Sequence, residues 1–344
     1  MNKLAGKTIT LAHGAGGKAM RDLIDAVFVQ GFANPELAAL EDQARFNLSA
    51  LMAHGNRLAL TTDSYVVDPL FFPGGDIGKL AVTGTVNDLA MSGAVPLYLT
   101  CGMILEEGFA IDELIKIVAS MKATADAAGV RIVTGDTKVV HKGSADKLFI
   151  NTAGVGVIPA HLDISATKAQ VGDKILINGF IGDHGAAIVD ARGELALEST
   201  ILSDCQPLHD LVRTMLQVCP RIHCLRDATR GGVATVLNEF AQSSQVGIRL
   251  HHNKIPVRPE VRGMCEILGL DALYLANEGK LVAVVPPEFA EMVLAAMRSH
   301  PAGADSAIIG EVQASPKGRV LLNTGFGGDR LLDMLVGEQL PRIC

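Results

Sequence analysis

Residues 78–93 read G-K-L-A-V-T-G-T-V-N-D-L-A-M-S-G, and this stretch decides the fold. With helical spacing, one apolar face contains Val82, Val86, Leu89 and Gly93, and a neighbouring face contains Leu80, Gly84 and Met91. A helix that is apolar on nearly every side is predicted to be buried. Asn87 and Asp88 then lie inside the protein, where a carboxylate is costly unless it is paired or bound to a metal. We interpret Asp88 as part of a binding site, with an internal salt bridge as the alternative.

Short apolar strands and helical patterns alternate along the rest of the chain. Strands are predicted at residues 58–62, 131–134, 148–158, 174–179 and 281–285. Helices are predicted at residues 20–29, from an N-cap at Asp112 to a stop at Gly129, after Gly232, and at residues 288–300. This order predicts an α+β fold in which two mixed domains face one cleft.

A domain boundary is predicted near residues 161–173, which are polar and only weakly periodic. We expect an N-terminal domain over residues 1–160, a C-terminal domain over residues 161–330 and a tail over residues 331–344. The chain length of 344 residues agrees with two domains of ordinary size.

The composition excludes several classes of protein. The chain is 49% hydrophobic and 19% charged, which is typical of a globular protein. A net charge of −7 and the lack of Trp argue against a nucleic-acid partner. No apolar run is long enough to span a membrane, so we expect a cytoplasmic protein without membrane contact. Its six cysteines are then expected to be reduced.

Two glycine-containing stretches have the composition of phosphate sites. H-G-A-G-G-K, residues 13–18, places Gly16 and Gly17 before a predicted helix, where backbone N–H groups hold anions. It lacks the Walker A spacing, and a plain turn is the alternative. T-G-D-T-K, residues 134–138, offers a carboxylate for Mg²⁺ and an ammonium for phosphate, with a solvated turn as the alternative.

Five further polar residues follow or precede predicted elements. Asp63 is expected at the end of a strand, a common position for a Mg²⁺ ligand, although an ordinary loop residue is the alternative. D-A-T-R-G-G, residues 227–232, places Asp227 and Arg230 at a helix start. Glu278 precedes a strand and is a possible base, whereas His184 in G-D-H-G is more typical of a structural residue.

A cluster of cysteine and histidine residues is a competing signal. It contains Cys205, His209, Cys219, His223 and Cys224. These side chains could ligate zinc, but no C-x₂-C pair is present and Cys219 continues an apolar helical pattern. Buried cysteines are therefore the favoured interpretation.

The chain ends on L-P-R-I-C, residues 340–344, after a predicted last helix at residues 331–335. Gly337 is expected to end that helix, and Pro341 prevents its continuation. Residues 337–344 then form a flexible arm that spans at most about 26–29 Å. Such an arm could bring the thiol of Cys344 into a cleft or to a partner, although a frayed end is the usual alternative.

These motifs together resemble those of the HypE family of hydrogenase maturation factors. This family is related to aminoimidazole ribonucleotide synthetase and selenophosphate synthetase. The resemblance covers essentially the whole chain. It rests on H-G-A-G-G-K, L-T-T-D-S-Y, V-N-D-L-A-M-S-G-A, T-G-D-T-K-V-V, D-A-T-R-G-G, A-N-E-G-K and the terminal P-R-I-C. The internal motifs indicate the superfamily, and the terminal P-R-I-C separates this family from its relatives.

The resemblance implies an ATP-dependent dehydration of an S-carbamoyl group on Cys344 to a thiocyanate. A carbamoyltransferase, HypF, would load the sulfur. The cyanide would pass to iron on a HypC–HypD complex, for a nickel–iron hydrogenase. The resemblance also implies a homodimer that pairs the N-terminal sheets, with ATP between the two domains or across the dimer.

The resemblance further implies roles for individual residues. Asp63, Asp88 and Asp227 would hold Mg²⁺ and ATP. Lys138 would bind phosphate or orient the carboxamide, Glu278 would act as base, and His184 would assist. Other ATP contacts are expected from Gly16, Gly17, Asn87, Thr134, Gly135, Asp136, Thr137 and Arg230.

Two other functions remain as alternatives. One is a metal-binding scaffold that uses the cysteine and histidine cluster and docks a partner with its tail. The other is a related ATP-dependent synthase that makes a purine intermediate or selenophosphate. No selenophosphate-type cysteine lies near the N-terminus, and a purine enzyme has no use for a terminal thiol.

Overall fold

The computed structural model describes residues 7–41, 43–193, 200–325, 327–337 and 340–344. Two sheets organise this part of the chain. The first is four-stranded and lies within residues 57–158, and the second is seven-stranded and lies within residues 174–332. The division at residues 160 and 330 stays a prediction.

The first sheet contains strands β1 (Arg57–Tyr65), β2 (Val95–Glu106), β3 (Arg131–Val140) and β4 (Leu148–Ile158), in the order β1-β4-β2-β3. Strands β2 and β3 run parallel, and the other neighbours run antiparallel. Two long helices belong to this domain, α1 (Ile77–Met91) and α2 (Ile111–Ala127). Before β1 the chain forms short helices at Leu11–Gly14, Lys18–Leu23, Ile24–Val29, Gln30–Phe32, Pro35–Ala38 and Leu48–Met52.

Helix α1 is buried on nearly all sides, as the sequence predicts. Asp76 caps its start by accepting hydrogen bonds from Gly78 N and Lys79 N, at 2.7 and 3.1 Å. Gly93 follows its end with a positive φ of 74°, a conformation that glycine adopts readily. The helix packs on the first sheet, where Thr152 donates a hydrogen bond to Ala81 O at 3.0 Å. This packing holds Asn87 and Asp88 at a fixed position beside the sheet.

Alternation along β1 separates two sets of side chains. Asp63, Thr152 and Cys101 are in register across the first three strands, and Thr152 bonds to helix α1. Residues paired in this way share one face, so Asp63 lies on the face that carries α1. Leu58 and Leu60 lie on the opposite, outer face and are 56% and 73% exposed.

The second sheet has strands β5 (Lys174–Ile177), β6 (Cys224–Asp227), β7 (Gly247–His251), β8 (Leu281–Val285), β9 (Ala307–Gln313), β10 (Arg319–Asn323) and β11 (Asp329–Leu332). Their order is β11-β10-β7-β9-β5-β8-β6. The helices of this domain are α3 (Asp183–Ala191), α4 (His209–Val218), α5 (Gly232–Ser244), α6 (Pro259–Leu268) and α7 (Ala290–Arg298). One buried apolar cluster crosses between the domains, because it joins Leu80 of α1 with Ile188, Ala276 and Ile343.

Four local predictions are wrong. Asp63 does not end its strand, which continues to Tyr65, and the T-G-D-T-K motif lies inside β3 rather than after it. Residues 329–332 form strand β11, not a helix, because they pair with β10 and bury only Leu332. The N-cap of α2 is Ala110, and Asp112 lies inside its first turn. A short apolar run does not by itself distinguish a helix from a strand. Residues 329–332 form a strand because β10 provides a pairing partner.

None of the helices in the described residues is long and apolar enough to cross a membrane.

Candidate active site

A cavity of about 560 Å³ lies between the two domains. The N-terminal domain lines it with Thr61 of β1 and Asp88 of α1, and the C-terminal domain lines it with Arg226 and Asp227 of β6. The last turn of α1 therefore faces the end of β6, and two of the predicted carboxylates meet across the domain boundary.

Asp88 is held in place by β1, because Thr61 donates a hydrogen bond to its Oδ2 at 2.7 Å. Burial raises the pKa of Asp88, and the charge of Asp63 adds to this rise. The Thr61 hydroxyl and Arg226 act in the opposite direction. The predicted internal salt bridge is absent from the ion pairs of the described residues, so the binding-site interpretation of Asp88 is favoured.

Asp227 ends strand β6 directly across the domain boundary from Asp88. Burial, followed by the charge of Asp88, raises the pKa of Asp227 to about 7. After it, Gly231 and Gly232 both adopt positive φ, and helix α5 begins at Gly232 as the sequence predicts. The strand end and the glycine turn together direct the carboxylate toward the cavity.

Glu278 is a buried carboxyl group of this site. The residue is only 3% exposed, and its Oε1 atom has no hydrogen-bond partner. Burial raises the pKa of Glu278 well above its ordinary value, and nearby carboxylates raise it further, Asp204 first. A buried acceptor without a donor is costly, and such an atom is suited to take a proton from a bound group.

Asp204 and Lys280 form a buried ion pair beside Glu278 that the sequence analysis missed. Lys280 Nζ lies 3.3 Å from Asp204 Oδ2, and Asp204 Oδ1 accepts the backbone N–H of Glu278 at 2.9 Å. Lys280 follows A-N-E-G in a recognised motif, but Asp204 has no sequence signal of its own. The pair supplies a positive charge next to the carboxylates and fixes the backbone of Glu278.

Asn87 is predicted to contact the cofactor, but its side chain forms hydrogen bonds with the backbone of the second domain. Its amide oxygen accepts from Leu208 N at 2.7 Å, and its amide nitrogen donates to Gln206 O and Glu278 O at 3.3 and 3.4 Å. These bonds satisfy a side chain that is 1% exposed. Asn87 therefore ties helix α1 of the first domain to the backbone of the second.

The carboxylates suit a divalent cation, although they do not form a closed metal site. Asp88, Asp227 and Glu278 repel one another and have raised pKa values, which a bound cation would reverse. Within the described ranges, no group of three or more His, Cys, Asp or Glu side chains could by itself hold a metal ion. Oxygen ligands from phosphate would therefore have to complete the coordination, as is usual for Mg²⁺.

The remaining predicted phosphate residues lie away from these carboxylates. Asp136 and Lys138 pair with Gly102 and Ile104 on the outer face of the first sheet, whereas Asp63 is on the inner face. Lys138 Nζ lies 2.6 Å from Asp136 Oδ2, and this bond lowers the pKa of Asp136. A second cavity of about 250 Å³ adjoins this strand and is lined by Thr134, Gly135, Asp136 and Thr137 among others.

The glycine-rich turn belongs with β3 rather than with the carboxylates. A Cβ atom at Gly14 would lie 2.9 Å from Val139 of β3. Gly16 has a positive φ of 76° and Gly17 caps the helix Lys18–Leu23. Both glycines are exposed. The structure thus divides the predicted site into a carboxylate group between the domains and a second group around β3.

Residues 340–344, the end of the predicted tail, lie in the protein between the domains. Ile343 is 5% exposed, and Cys344 packs against the buried cluster that contains Cys205 and Ala276. Val66 N donates to Cys344 O at 3.1 Å, directly after Tyr65 of β1. Because Ala276 is two residues from Glu278 and the charge of Glu278 acts on Cys205 and Tyr65, the tail ends beside the carboxylate site.

His184 contacts the tail rather than the carboxylates. Its Nε2 donates to Ile343 O at 2.8 Å, and its Nδ1 accepts from the Ser203 hydroxyl at 2.8 Å. Burial lowers the pKa of His184, so the ring is neutral with its proton on Nε2. Arg230 also lies near the tail, because it lines a cavity of about 260 Å³ together with Leu340 and Ile343.

The side chains of the predicted cysteine and histidine cluster do not come together at one site in the described residues. Cys205, Cys219 and Cys224 are buried, and no described cysteine is in a disulfide. His223 instead bonds to Asp173, with 2.8 Å between Nδ1 and Oδ2. Burial raises the pKa of the Cys224 thiol to about 12, which disfavours the thiolate that zinc requires.

Comparison with known proteins gives matches over nearly the whole chain. Residues 41–158 match the model of the AIR synthase related protein, N-terminal domain, and residues 170–323 match that of its C-terminal domain. The carbamoyl dehydratase HypE of Rhodobacter capsulatus is 55% identical over 341 residues, which cover 99% of both chains.

Solved structures agree with these sequence matches. A crystal structure of the hydrogenase maturation protein HypE in complex with ATP is 50% identical, with a TM-score of 0.93, over 98% of this chain and 100% of that chain. A crystal structure of a HypE–HypF complex is 50% identical, with a TM-score of 0.79, over 91% of this chain and 99% of that chain.

Proposed function

The chain belongs to the HypE family of carbamoyl dehydratases and has their two-domain AIR synthase-like fold, and on this premise we propose that it uses ATP to dehydrate an S-carbamoyl group on its own Cys344. The product would be a thiocyanate that supplies a cyanide ligand for nickel–iron hydrogenase. The observation that carries this proposal is the docked tail, which brings the terminal cysteine beside a group of buried carboxylates.

The reaction balances as two steps. The carbamoyl oxygen attacks the γ-phosphorus of ATP, ADP leaves, and one N–H proton is released. Loss of the second N–H proton then forms the C≡N bond as the C–O bond breaks and phosphate leaves. The carbamoyl oxygen thus departs in phosphate, because an amide oxygen alone is a poor leaving group. The protein must position the reactants, neutralise charge and take a proton.

Glu278 is the residue that we propose as base. Its Oε1 atom is buried and without a partner, and the Asp204–Lys280 pair fixes its backbone. A raised pKa makes its carboxylate a stronger base than an exposed glutamate. The tail supports this role because it ends in the same buried region, whereas His184 supports the tail itself.

Asp63, Asp88 and Asp227 are the residues that we propose to hold Mg²⁺ and the ATP phosphates. When bound, Mg²⁺ would neutralise phosphate charge and orient the γ-phosphoryl group. The cavity of about 560 Å³ that Asp88 and Asp227 line gives room for a nucleotide between the domains. Related HypE was crystallised with ATP, which supports a nucleotide as the ligand.

A homodimer through the outer face of the first sheet belongs to the same proposal. That face carries exposed Leu58, Leu60 and Ile104 together with Lys138. In a dimer, Lys138 and the other residues of β3 would act on phosphate or carboxamide across the interface. The N-terminal domain would thus bind ATP and dimerise, while the tail carries the reacting sulfur.

The proposed partners are the carbamoyltransferase HypF and a HypC–HypD complex. A related HypE forms a crystallised complex with HypF, which supports HypF as the donor of the carbamoyl group. The HypC–HypD complex would accept cyanide on iron, as the family resemblance implies. Both partners require the same cysteine, so the tail must leave its docked position between them.

Mass spectrometry of the intact protein tests the proposed function. The protein is incubated with HypF and its carbamoyl donor, with and without ATP, and the C-terminal peptide is mapped. We expect one carbamoyl group on Cys344 and the loss of one water from it only when ATP is present. An unmodified Cys344 beside active HypF would refute the role of the tail as carrier.

A further inference from the structure

The main-chain oxygen atoms of residues 341–344 all accept hydrogen bonds. Arg192 Nη2 donates to Pro341 O at 2.6 Å and to Arg342 O at 2.9 Å. His184 Nε2 donates to Ile343 O at 2.8 Å, and Val66 N donates to Cys344 O at 3.1 Å. The Arg342 side chain adds a hydrogen bond to Val66 O at 3.0 Å and an ion pair with Asp146. The tail is thus held largely through its main chain.

Two of these donors belong to one element. His184 lies in the first turn of α3, and Arg192 caps the end of that helix. His184 is fully buried, bonds to Ser203 and contacts Phe72 edge-on at a ring distance of 5.5 Å. Arg192 Nε donates to Asp68 O at 3.0 Å, so one guanidinium joins the C-terminal domain, the N-terminal domain and the tail.

We propose that His184 and Arg192 are positioning residues that latch the tail by its carbonyl groups, and that carbamoylation of Cys344 requires this latch to open. The inference rests on the proposed function of Cys344 as carrier. His184 then acts on the reaction through the tail and not by touching the reacting atoms.

The geometry gives the latch two useful properties. It acts on main-chain oxygen atoms, so a carbamoyl group on the sulfur of Cys344 removes none of these acceptors. The guanidinium is also a planar donor that reaches three carbonyls at once, which the single ammonium of lysine does not reproduce. The docked state should therefore depend on arginine at residue 192 and not on positive charge alone.

Alkylation of Cys344 measures the opening of the latch without any carbamoyl chemistry. We compare the wild type with Arg192→Gln and Arg192→Lys, using iodoacetamide and peptide mass spectrometry. Alkylation should be at least about tenfold faster in both variants, because Arg192 donates two hydrogen bonds to the tail and the loss of one bond alone changes an equilibrium by up to about tenfold. Arg213→Gln on α4 is the matched control, since Arg213 pairs with Asp210 and should keep the wild-type rate. Cys344→Ser gives the background from other cysteines.

Single-turnover dehydration of protein already carbamoylated on Cys344 gives the second readout. The rate at saturating ATP should fall roughly tenfold in Arg192→Gln, with an unchanged KM for ATP. Ser203→Ala, which loosens His184 without altering Arg192, should also lower the rate.

Unchanged alkylation in Arg192→Gln would overturn the latch, and so would faster alkylation with unaltered dehydration. If carbamoylated wild type fails to dehydrate, the proposed function is refuted, whereas alkylation still decides whether the latch exists.

Discussion

Glu278 is a carboxyl group whose ionisation is opposed by burial and by four neighbouring carboxylates. A group whose pKa is raised in the folded protein stabilises the fold below its unfolded pKa. That contribution is lost as the pH rises through the raised value. The site therefore stores electrostatic repulsion at pH values above the raised pKa of Glu278, and a single uncharged substitution should release it.

Glu278→Gln should stabilise the ligand-free protein more at pH 8 than at pH 5. The amide is neutral at both pH values, whereas wild-type Glu278 becomes charged as the pH rises. We expect a gain in Tm of a few degrees at pH 8, since 1 kcal/mol shifts Tm by about 2–4 °C in domains of this size. Thermal unfolding without ATP or Mg²⁺ measures it, with exposed Glu291→Gln as control. Equal gains at both pH values would contradict the raised pKa.

The same substitution should nearly abolish dehydration, because the amide cannot accept the N–H proton as a carboxylate does. The rate with carbamoylated protein should fall at least about 100-fold, within the range that general bases contribute. ADP formation and thiocyanate formation are measured together. Dehydration at the wild-type rate would exclude Glu278 as the base.

Asp88→Asn tests the cation-binding role of the carboxylates. The amide oxygen can still accept the Thr61 hydrogen bond, so the main change is the lost negative charge. We expect ATP hydrolysis by carbamoylated protein to fall at least about tenfold, and added Mg²⁺ to restore part of it. Asp112→Asn, exposed on α2, is the control and should hydrolyse ATP normally. Normal hydrolysis by Asp88→Asn would remove Asp88 from the ATP site.

At the scale of the element, helix α1 depends on close contact with β1. A Cβ atom on Gly84 would lie 2.4 Å from the hydroxyl oxygen of Tyr65, which is itself buried. Gly84→Ala should therefore destabilise the protein by about 1–3 kcal/mol.

Gly263 in helix α6 provides the matched control, because a Cβ atom there would meet nothing within 4 Å. Gly263→Ala should stabilise by about 0.5–1 kcal/mol, since alanine has the higher helix propensity. Urea unfolding of the two variants measures the difference. Destabilisation of equal size in both would mean that the Tyr65 contact is not responsible.

The elements with continuous patterns could be predicted from the sequence, and their long-range partners could not. Strands 148–158 and 281–285 match the predictions residue for residue, because both are apolar runs bounded by polar or turn residues. Asp88 and Asp227 could be singled out from local patterns too, since Asp88 lies in a helix that is apolar on nearly every side and Asp227 precedes a predicted helix start. Arg192 was missed because its bond to Pro341 spans 149 residues of sequence and leaves no local signal.

The face on which a motif lies also escaped prediction. T-G-D-T-K was expected in a loop near the carboxylates, but it lies within β3, where Asp136 and Lys138 face outward. A loop would allow these side chains to turn inward, whereas strand alternation does not. The T-G-D-T-K motif could be recognised in the sequence. The face of the sheet on which its side chains lie depends on the pairing of β3 with β2.

At the scale of the whole molecule, the proposed dimer predicts a change in mass. Leu60 is 73% exposed on the outer face of the first sheet, and an aspartate there would bury charge in the interface. We expect Leu60→Asp to sediment as a monomer in analytical ultracentrifugation and the wild type as a dimer. Ile267→Asp, at a position 63% exposed on α6, should remain dimeric. Identical masses for all three proteins would refute an interface through this sheet.

Strand β1 has a consequence for how this protein can change during evolution. Residues with odd numbers, such as Thr61 and Asp63, face the cleft, and those with even numbers, such as Leu60, face outward. Because the period is two, an insertion or deletion of one residue would exchange the two sets and disable both faces together. A substitution in β1 therefore affects only one face of the strand, whereas a change in its length affects both faces.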